Sequence, residues 1–131
     1  RTDSTAVPKL AGSSLGGLIS LYGAWTRPSA FSGCAVLSPA LYWDDQYVTT
    51  TIANTMGDKA PLRIYLDVGD QEAYAALTVT LRDVLLSKGW VLAEDLLYVV
   101  GPGHGHNATA WALRIPGALA FLLNDPARVA P

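Results

Sequence analysis

Hydrophobic and polar positions along the chain follow two alternating patterns. Short, nearly continuous apolar runs are typical of strands buried on both faces, whereas apolar residues that recur every three or four positions are typical of helices. The short runs predict four strands, at Val7–Gly12, Gly33–Leu37, Leu62–Val68 and Leu96–Val100. Because alternating strands and helices build a mostly parallel sheet with helices on both faces, the pattern predicts an α/β fold.

Helical spacing appears in three segments of the chain. The clearest is Ala73–Lys88, which carries one apolar stripe and is followed by Gly89, a typical helix stop. A second helix is predicted from Leu15 toward Trp25. A third closes the chain, and we expect it to begin at Pro116, because proline is favoured at the first helical position.

Two adjacent serines stand between the first predicted strand and the helix after it, in the segment Gly12–Gly16. This segment fits G-x-S-x-G, in which a sharp strand-to-helix turn projects the middle serine outward. We expect small residues two positions before and after that serine, because larger side chains would collide inside the turn. Ser14 has glycines at both positions, whereas Ser13 has Ala11 and the large Leu15. Ser14 is therefore the candidate nucleophile, and a phosphate-binding or purely structural turn is the alternative.

A serine nucleophile needs a base that removes its proton and a carboxylate that orients the base. The two histidines of the chain, His104 and His106, both lie in a glycine-rich segment after the last predicted strand. From that position a loop can carry the base back over Ser14. An H-x-H pair can also bind a metal, but no obvious third ligand accompanies it, so a metal site is disfavoured. A structural pair of histidines is the other alternative.

The carboxylate is expected after the third strand, because the chain order on this kind of sheet is serine, acid, histidine. The segment DVGDQE offers Asp67, Asp70 and Glu72. Asp67 still belongs to the predicted strand, and we expect it to be a hydrogen-bonded structural residue. Asp70 and Glu72 lie in the turn beyond the strand, where acidic residues can also stabilise the start of a helix. Both residues are candidates for the acid.

The composition of the chain limits both the kind of protein it can be and the partners it can bind. The chain has 131 residues, of which half are hydrophobic and 15% are charged, and this excludes a disordered tail and suits one domain. A net charge of −2 without a basic run gives no support to nucleic-acid binding. No apolar run is long enough to cross a membrane. The cellular compartment is left open.

Three stretches together resemble the Putative esterase family of α/β-hydrolases, which includes enterochelin-esterase-like, esterase-D-like and feruloyl-esterase-like enzymes. The stretches are AGSSLGGLISLYGAWTRPSAFSGCAVLSPALYW, IYLDVGDQE and GHNATAWALRIPGALAFLL. The resemblance extends over nearly the whole chain, with the three motifs in the family's order. It implies a carboxylic-ester hydrolase built on the α/β-hydrolase fold.

The resemblance also selects among the candidate site residues. The family's nucleophile falls on Ser14. Its histidine stands in a G-H-N run followed by an aromatic residue, which matches His106 rather than His104. Its acid occupies the last place of G-x-x-D/E, which matches Glu72 and leaves Asp70 as the alternative acid.

The mechanism that these assignments imply is acyl transfer to water, through an acyl-enzyme on Ser14 with His106 as general base. The backbone N–H of Leu15 is expected to donate to the oxyanion. The loop after the second strand brings Tyr42 and Trp43 to the same end of the sheet, where we expect them to line the substrate pocket. The expected partner is a small-molecule ester, and the mechanism requires no metal or organic cofactor.

Members of this family carry a longer N-terminal half, with the first strands of the sheet and the loop that supplies a second oxyanion donor. The resemblance therefore implies that residues 1–131 are the C-terminal portion of a single α/β-hydrolase domain, and that the missing half is a partner of this chain. Two other functions stay open: an acyltransferase that uses the same site, and a non-catalytic relative that binds siderophores or carbohydrates. The presence of the serine, the acid and the histidine together argues against the non-catalytic relative and leaves the acyltransferase open.

Overall fold

A computed structural model of the protein describes residues 7–124. Four parallel strands alternate with four helices, and the strands lie side by side in their order along the chain. The elements are β1 (Leu10–Ser13), α1 (Leu15–Thr26), β2 (Gly33–Leu37), α2 (Trp43–Asn54), β3 (Arg63–Gly69), α3 (Ala75–Ser87), β4 (Leu96–Gly101) and α4 (Ala108–Leu123). This is the α/β architecture that the hydrophobic pattern predicts.

The strands β2 and β3 occupy the middle of the sheet and carry its most continuous apolar sequences. Every residue of β2 is buried, as is every residue of β3 after Arg63. In the register of the sheet, Cys34 of β2 pairs with Leu10 on one side and with Ile64 on the other. Strands covered on both faces need apolar side chains at successive positions, which is why these runs show no alternation with polar residues.

Helices pack on both faces of the sheet. The larger apolar cluster joins α1, α2 and α3 to one face, and its fully buried members include Leu21, Ile52, Leu66, Leu81 and Leu85. The smaller cluster joins α4 to the opposite face through Ala35, Tyr65, Ala118 and Leu122. The sheet is therefore the middle layer of three, and its strand ends are free to carry a site.

The first strand begins later than the sequence pattern predicts. We expected a strand over Val7–Gly12, but β1 starts at Leu10 and includes Ser13. Pro8 has no backbone N–H to offer a strand ladder. Its carbonyl instead accepts a hydrogen bond of 3.0 Å from the N–H of Ser32. The chain before β1 therefore contacts the start of β2 without joining the sheet.

The last helix begins at Ala108 rather than at Pro116, and the expectation of a start at the proline is wrong. Asn107 caps the helix, because its side-chain oxygen accepts a hydrogen bond of 2.9 Å from the N–H of Ala110. Pro116 removes a hydrogen bond from the helix interior. It is exposed, however, so water can satisfy the carbonyl that it leaves unpaired. One residue in four along α4 is buried on the sheet: Ala110, Arg114, Ala118 and Leu122.

The sequence pattern predicts no helix at α2, although the structure has one there. The first turn of α2 contains Asp44, Asp45 and Gln46 in the left-handed region, with φ of 48°, 51° and 61°. The following turns carry successive threonines, which have low helix propensity. Val48 and Ile52 are nevertheless buried against the sheet. Burial in the tertiary structure thus outweighs the local preference.

The carboxyl ends of all four strands meet at one edge of the sheet, because every pairing is parallel. Ser14 comes directly after β1, and Ser38 comes directly after β2. Glu72 lies in the turn after β3, and His106 lies in the loop after β4. Parallel α/β sheets bind their ligands at this edge. The candidate residues of the sequence are therefore gathered where a site is expected.

Among the described strands, β1 and β4 form the two edges of the sheet. The expectation of an N-terminal half concerns residues outside this sequence, and it stays a prediction. Within residues 7–124, no helix combines the length and the apolar character that a membrane span requires.

Candidate active site

Ser14 occupies the sharp turn between β1 and α1. Its backbone has φ of 57° and ψ of −121°, a conformation that residues other than glycine rarely adopt. The Ser14 N–H donates to the carbonyl of Leu37 at 3.0 Å, and the Ser14 carbonyl accepts from the N–H groups of Leu18 and Ala40, each at 3.1 Å. Strained backbone held by its surroundings in this way is a frequent feature of functional sites.

Of the two glycines that flank Ser14 in the motif, only Gly12 is in a position too tight for a Cβ atom. A Cβ atom on Gly12 would collide with the carbonyl of Gly16, as expected for a tight turn. A Cβ atom on Gly16 itself would meet nothing within 4 Å, so this position has room for a Cβ and does not require glycine. The second tight position is Gly17, where a Cβ would lie 3.0 Å from the Leu37 carbonyl. The close approach of α1 to β2 therefore depends on Gly17.

The structure places His106, and not His104, against the candidate nucleophile. His106 Nε2 lies 2.9 Å from Ser14 Oγ. The imidazole and the ring of Trp111 are nearly perpendicular, with centroids 5.0 Å apart and planes at 87°. Because 47% of the His106 side chain is exposed, a substrate can reach the shared proton from solvent.

Glu72 lies on the far side of the same imidazole. Its Oε1 is 2.6 Å from His106 Nδ1, and only 7% of its side chain is exposed. Its Oε2 accepts hydrogen bonds from the Gly69 N–H at 2.5 Å and from the Ser38 hydroxyl at 2.6 Å. Burial acts to raise the pKa of Glu72, but the hydrogen bonds from Ser38, Gly69 and His106 outweigh it, and the pKa lies below its usual value of 4.5.

The other two acidic candidates have different surroundings. Asp70 is exposed, and its Oδ1 accepts hydrogen bonds from the N–H of Gly103 and from the side chain of Gln71, both at 2.9 Å. Asp67 is fully buried in β3 and accepts hydrogen bonds from Tyr65 and Arg114. Asp67 is thus the hydrogen-bonded structural residue that its place in the strand predicts.

His104 has a partner of its own on α4. Its Nδ1 lies 2.7 Å from Arg114 Nη1, and it accepts this hydrogen bond because a guanidinium can only donate. The two histidines of the H-x-H pair are therefore engaged by different groups. Among the described residues, no three His, Cys, Asp or Glu side chains are grouped so that they could hold a metal ion.

Leu15 is the first residue of α1, and its N–H has no acceptor within the helix. The positive end of the helix dipole lies at the same point. A developing negative charge beside Ser14 Oγ would therefore meet a free N–H group and a favourable field. The role of Leu15 as an oxyanion donor stays a prediction.

A cleft of about 250 Å³ opens beside Glu72 and His106. Tyr42 and Tyr74 form an aromatic wall of this cleft, with ring centroids 4.7 Å apart. Tyr42 therefore lies in the same cleft as Glu72 and His106, and its role in binding a substrate stays a prediction.

Trp43 lines a different surface. It stands at the start of α2 and faces an apolar groove between α1 and α2, together with Leu15, Ile19 and Tyr47. Since Leu15 borders this groove and adjoins Ser14, the groove reaches the same end of the sheet. Tyr42 and Trp43 thus lie on two separate walls near Ser14, and the sequence did not distinguish them.

Sequence reasoning missed two residues that contact the site. Ser38, directly after β2, donates to Glu72, and Arg114 of α4 donates to both Ser38 and Asp67. The Arg114 side chain is 5% exposed. A single arginine within the apolar stripe of a helix was the signal that could have identified this position.

A parallel α/β sheet with a serine, a histidine and a glutamate joined at its carboxyl edge is the arrangement of the α/β-hydrolase fold. Residues 1–122 match the family model described as Putative esterase, so the chain belongs to this esterase family. A search of curated protein sequences finds no significant match to the chain.

Solved structures of several esterases share this fold. The enterochelin esterase from Shigella flexneri aligns with a TM-score of 0.71 and 21% identity, over 88% of this chain and 30% of that one. The S-formylglutathione hydrolase from Staphylococcus aureus aligns with a TM-score of 0.66 and 22% identity, over 87% of this chain and 50% of that one. A ferulic acid esterase gives a TM-score of 0.71 at 13% identity, over 88% and 51% of the two chains. The chain thus spans about a third to a half of the length of these relatives.

Proposed function

We propose that this chain carries the catalytic centre of a serine carboxylic-ester hydrolase. The observation that carries the proposal is the continuous hydrogen-bonded array from Ser14 Oγ through His106 to Glu72, with distances of 2.9 Å and 2.6 Å. A nucleophile, a base and an orienting carboxylate within hydrogen-bond reach are the groups that acyl transfer requires. Membership of an esterase family supports the same class of reaction.

The His106 imidazole transfers the proton of the Ser14 hydroxyl to the leaving alcohol. With the Nδ1 proton directed to Glu72, His106 Nε2 is left as an acceptor for the Ser14 hydroxyl proton. Ser14 Oγ attacks the ester carbonyl as Nε2 takes that proton, and a tetrahedral intermediate forms. Nε2 then gives the proton to the leaving alcohol oxygen, and the acyl group stays on Ser14. A water molecule repeats these steps, releases the carboxylic acid and restores the serine.

Glu72 has two roles in this mechanism. It fixes the imidazole in the tautomer that leaves Nε2 free, and it stabilises the positive charge when His106 becomes protonated. The hydrogen bonds to Glu72 Oε2 keep the carboxylate ionised, which both roles require. Asp70 contacts Gly103 and Gln71 instead, so the acid of the proposal is Glu72.

The oxyanion and the substrate are bound by groups around this array. We assign the Leu15 N–H as a donor to the oxyanion, because it is an unpaired N–H at the positive end of α1. We assign the cleft with Tyr42 and Tyr74 to one side of a small ester.

Turnover of a chromogenic acetate ester tests the proposal. We expect hydrolysis by the protein, loss of that activity in Ser14→Ala, and activity close to that of the unaltered protein in the matched control Ser13→Ala. Addition of an alcohol acceptor separates the acyltransferase from the hydrolase, because an acyltransferase forms the new ester in preference to the free acid. Binding of the ester without any turnover would contradict the proposal and favour a non-catalytic relative.

A further inference from the structure

The hydroxyl of Ser38 is the centre of a buried polar cluster behind the proposed catalytic residues. Ser38 is 2% exposed and follows β2 at the carboxyl edge of the sheet. Its Oγ lies 2.6 Å from Glu72 Oε2, 3.0 Å from Trp111 Nε1 and 3.0 Å from Arg114 Nη2. One hydroxyl thus connects β2, the turn after β3 and two positions on α4.

The chemistry of these neighbours fixes the direction of every hydrogen bond. An indole N–H and a guanidinium N–H can only donate, so Ser38 Oγ accepts from both Trp111 and Arg114. A hydroxyl has two acceptor lone pairs and one proton. With both lone pairs engaged, the Ser38 proton has Glu72 Oε2 as its acceptor. The hydroxyl therefore cannot rotate to another partner without losing a buried hydrogen bond.

This arrangement assigns each oxygen of Glu72 to a different task. Oε2 accepts from the Ser38 hydroxyl and from the Gly69 N–H. Oε1 is left for His106 Nδ1. Two donors on one oxygen hold the plane of the carboxylate, so the other oxygen is presented to the imidazole in one orientation.

Arg114 anchors the cluster to the core of the sheet. Its Nε and Nη2 donate to the two carboxylate oxygens of Asp67, at 2.7 Å and 3.1 Å. Such a bidentate pair holds the guanidinium plane in one orientation. Buried ion pairs contribute little net stability, because desolvation opposes their attraction. A role in orienting neighbouring groups explains the presence of this pair better than a role in stability does.

The backbone at Ser38 gives independent support for a constrained role. Its φ of 42° lies in the left-handed region, although the residue is a serine. The Ser38 N–H donates to both the carbonyl and the carboxylate of Asp67, at 3.1 Å and 3.0 Å, and these bonds hold the strained turn. Strain of this kind persists only where the surroundings impose it, and it clusters at functional sites.

We propose that Ser38 is a positioning residue, whose hydroxyl, directed by Arg114 and Trp111, holds the Glu72 carboxylate in the orientation that His106 needs. The inference rests on the proposed esterase function and adds a residue to it. Ser38 does not touch the reacting atoms; it acts through Glu72. A merely structural Ser38 would affect the free energy of unfolding and leave the geometry between Glu72 and His106 unchanged.

The test compares two serines at opposite ends of β2. Ser38→Ala removes the hydroxyl that contacts Glu72. Ser32→Ala is the matched control, because Ser32 is also nearly buried and hydrogen-bonded, to Lys9 and Val7, but lies at the amino end of the sheet. Ser38→Gly removes the same hydroxyl and relieves the positive φ, so it replaces Ser38→Ala if the alanine variant does not fold.

Two readouts are measured for each folded variant: kcat and KM with a chromogenic ester, and the far-downfield proton NMR signal of His106 Nδ1–H. In Ser38→Ala or Ser38→Gly we expect kcat to fall by about 10–100-fold, with little change in KM, by analogy with the loss of the hydrogen-bond partners that orient metal-ligating histidines. We expect the Nδ1–H signal to shift or broaden, because Glu72 Oε1 is no longer held. Ser32→Ala should change neither quantity.

The outcomes separate this inference from the proposed function. An unaltered kcat and an unaltered Nδ1–H signal in both Ser38 variants would overturn the positioning role, as would equal losses in Ser32→Ala. Absence of ester hydrolysis by the unaltered protein would count against the proposed function instead. In that case the Nδ1–H signal still tests whether Ser38 controls the hydrogen bond between Glu72 and His106.

Discussion

His106 Nε2 lies 2.9 Å from Ser14 Oγ, although the two residues are 92 positions apart in the sequence. Ser14 follows β1 and His106 follows β4, which are the two edge strands of the described sheet. With neighbouring strands about 4.8 Å apart, the loop after β4 has to cross roughly 14 Å to reach Ser14. The contact therefore depends on the path of that loop over the end of β3.

Gly69, the last residue of β3, makes this path possible. A Cβ atom at Gly69 would collide with the carbonyl of His104, which accepts a hydrogen bond of 3.0 Å from the Gln71 N–H. We predict that Gly69→Ala displaces the loop and lowers kcat by about 100-fold, the cost of a shift of about 1 Å in a catalytic group. Gly117→Ala is the matched control, because a Cβ there meets nothing within 4 Å. Equal activities of the two variants in an ester assay would show that the loop does not depend on Gly69.

The two acids that the sequence left as candidates are separated by mutation. We predict that Glu72→Gln lowers kcat by up to about 10⁴-fold, the scale seen when the carboxylate of a serine-type triad is neutralised. Asp70→Asn should have a much smaller effect, because Asp70 bonds to Gly103 and Gln71. Steady-state kinetics of the two variants decide the matter. The reverse ranking would move the role to Asp70, and two small effects would indicate a serine–histidine dyad.

At acidic pH, the free energy of unfolding should depend on the ionisation of Glu72. Its pKa in the folded protein is held below the usual value of 4.5, so folding favours the ionised form. The stability from this group is fully present above pH 4.5 and is lost as the pH falls through the lower folded pKa. We predict that the free energy of unfolding falls less steeply below pH 4.5 in Glu72→Gln than in the unaltered protein. Denaturant titrations at several pH values measure this free energy for both proteins. An equal fall with decreasing pH in the two proteins would contradict the prediction.

The glycines before and after Ser14 are predicted to respond in opposite ways to alanine. Gly12→Ala forces a Cβ into the Gly16 carbonyl and should lower the free energy of unfolding by about 1–3 kcal/mol. Gly16→Ala introduces a Cβ into open space within α1 and should raise it by up to about 1 kcal/mol, through helix propensity. Urea unfolding of both variants measures the difference. Equal destabilisation would mean that both positions are tight, as the G-x-S-x-G pattern alone suggests.

The sequence predicted the sheet well because buried parallel strands leave a direct trace in it. β2 needs apolar residues at every position, so the run Gly33–Leu37 marks it without error at either end. The start of β1 was misplaced because Val7 is as apolar as a strand residue, while the pairing itself begins only at Leu10. Hydrophobicity shows burial, but it does not show which N–H groups join the ladder.

The helices were harder to predict, because local signals compete with tertiary contacts. The sequence predicted that α4 begins at Pro116. The cap at Asn107 and the hydrogen bond from Arg114 to Asp67 instead stabilise a helix that begins earlier. α2 was missed because its threonines disfavour a helix in isolation. Burial of Ile52 against the sheet stabilises the helix despite this low helix propensity.

The sequence predicted those residues of the site that lie in short motifs. Ser14, His106 and Glu72 each stand in a short recognisable pattern after a strand. Ser38 and Arg114 do not, because their contact joins residues 76 positions apart and depends on how α4 lies across the sheet. Hydrogen bonds that form only between distant elements leave no spacing in the sequence.

Covalent labelling shows directly whether Ser14 is a nucleophile. A fluorophosphonate should react with the Ser14 hydroxyl, because His106 Nε2 lies within hydrogen-bond distance of it and can take up its proton. Mass spectrometry of the peptide that contains both serines identifies the modified residue. We predict a label on Ser14, no label in Ser14→Ala and full labelling in Ser13→Ala. A label on Ser13, or labelling that survives Ser14→Ala, would contradict it.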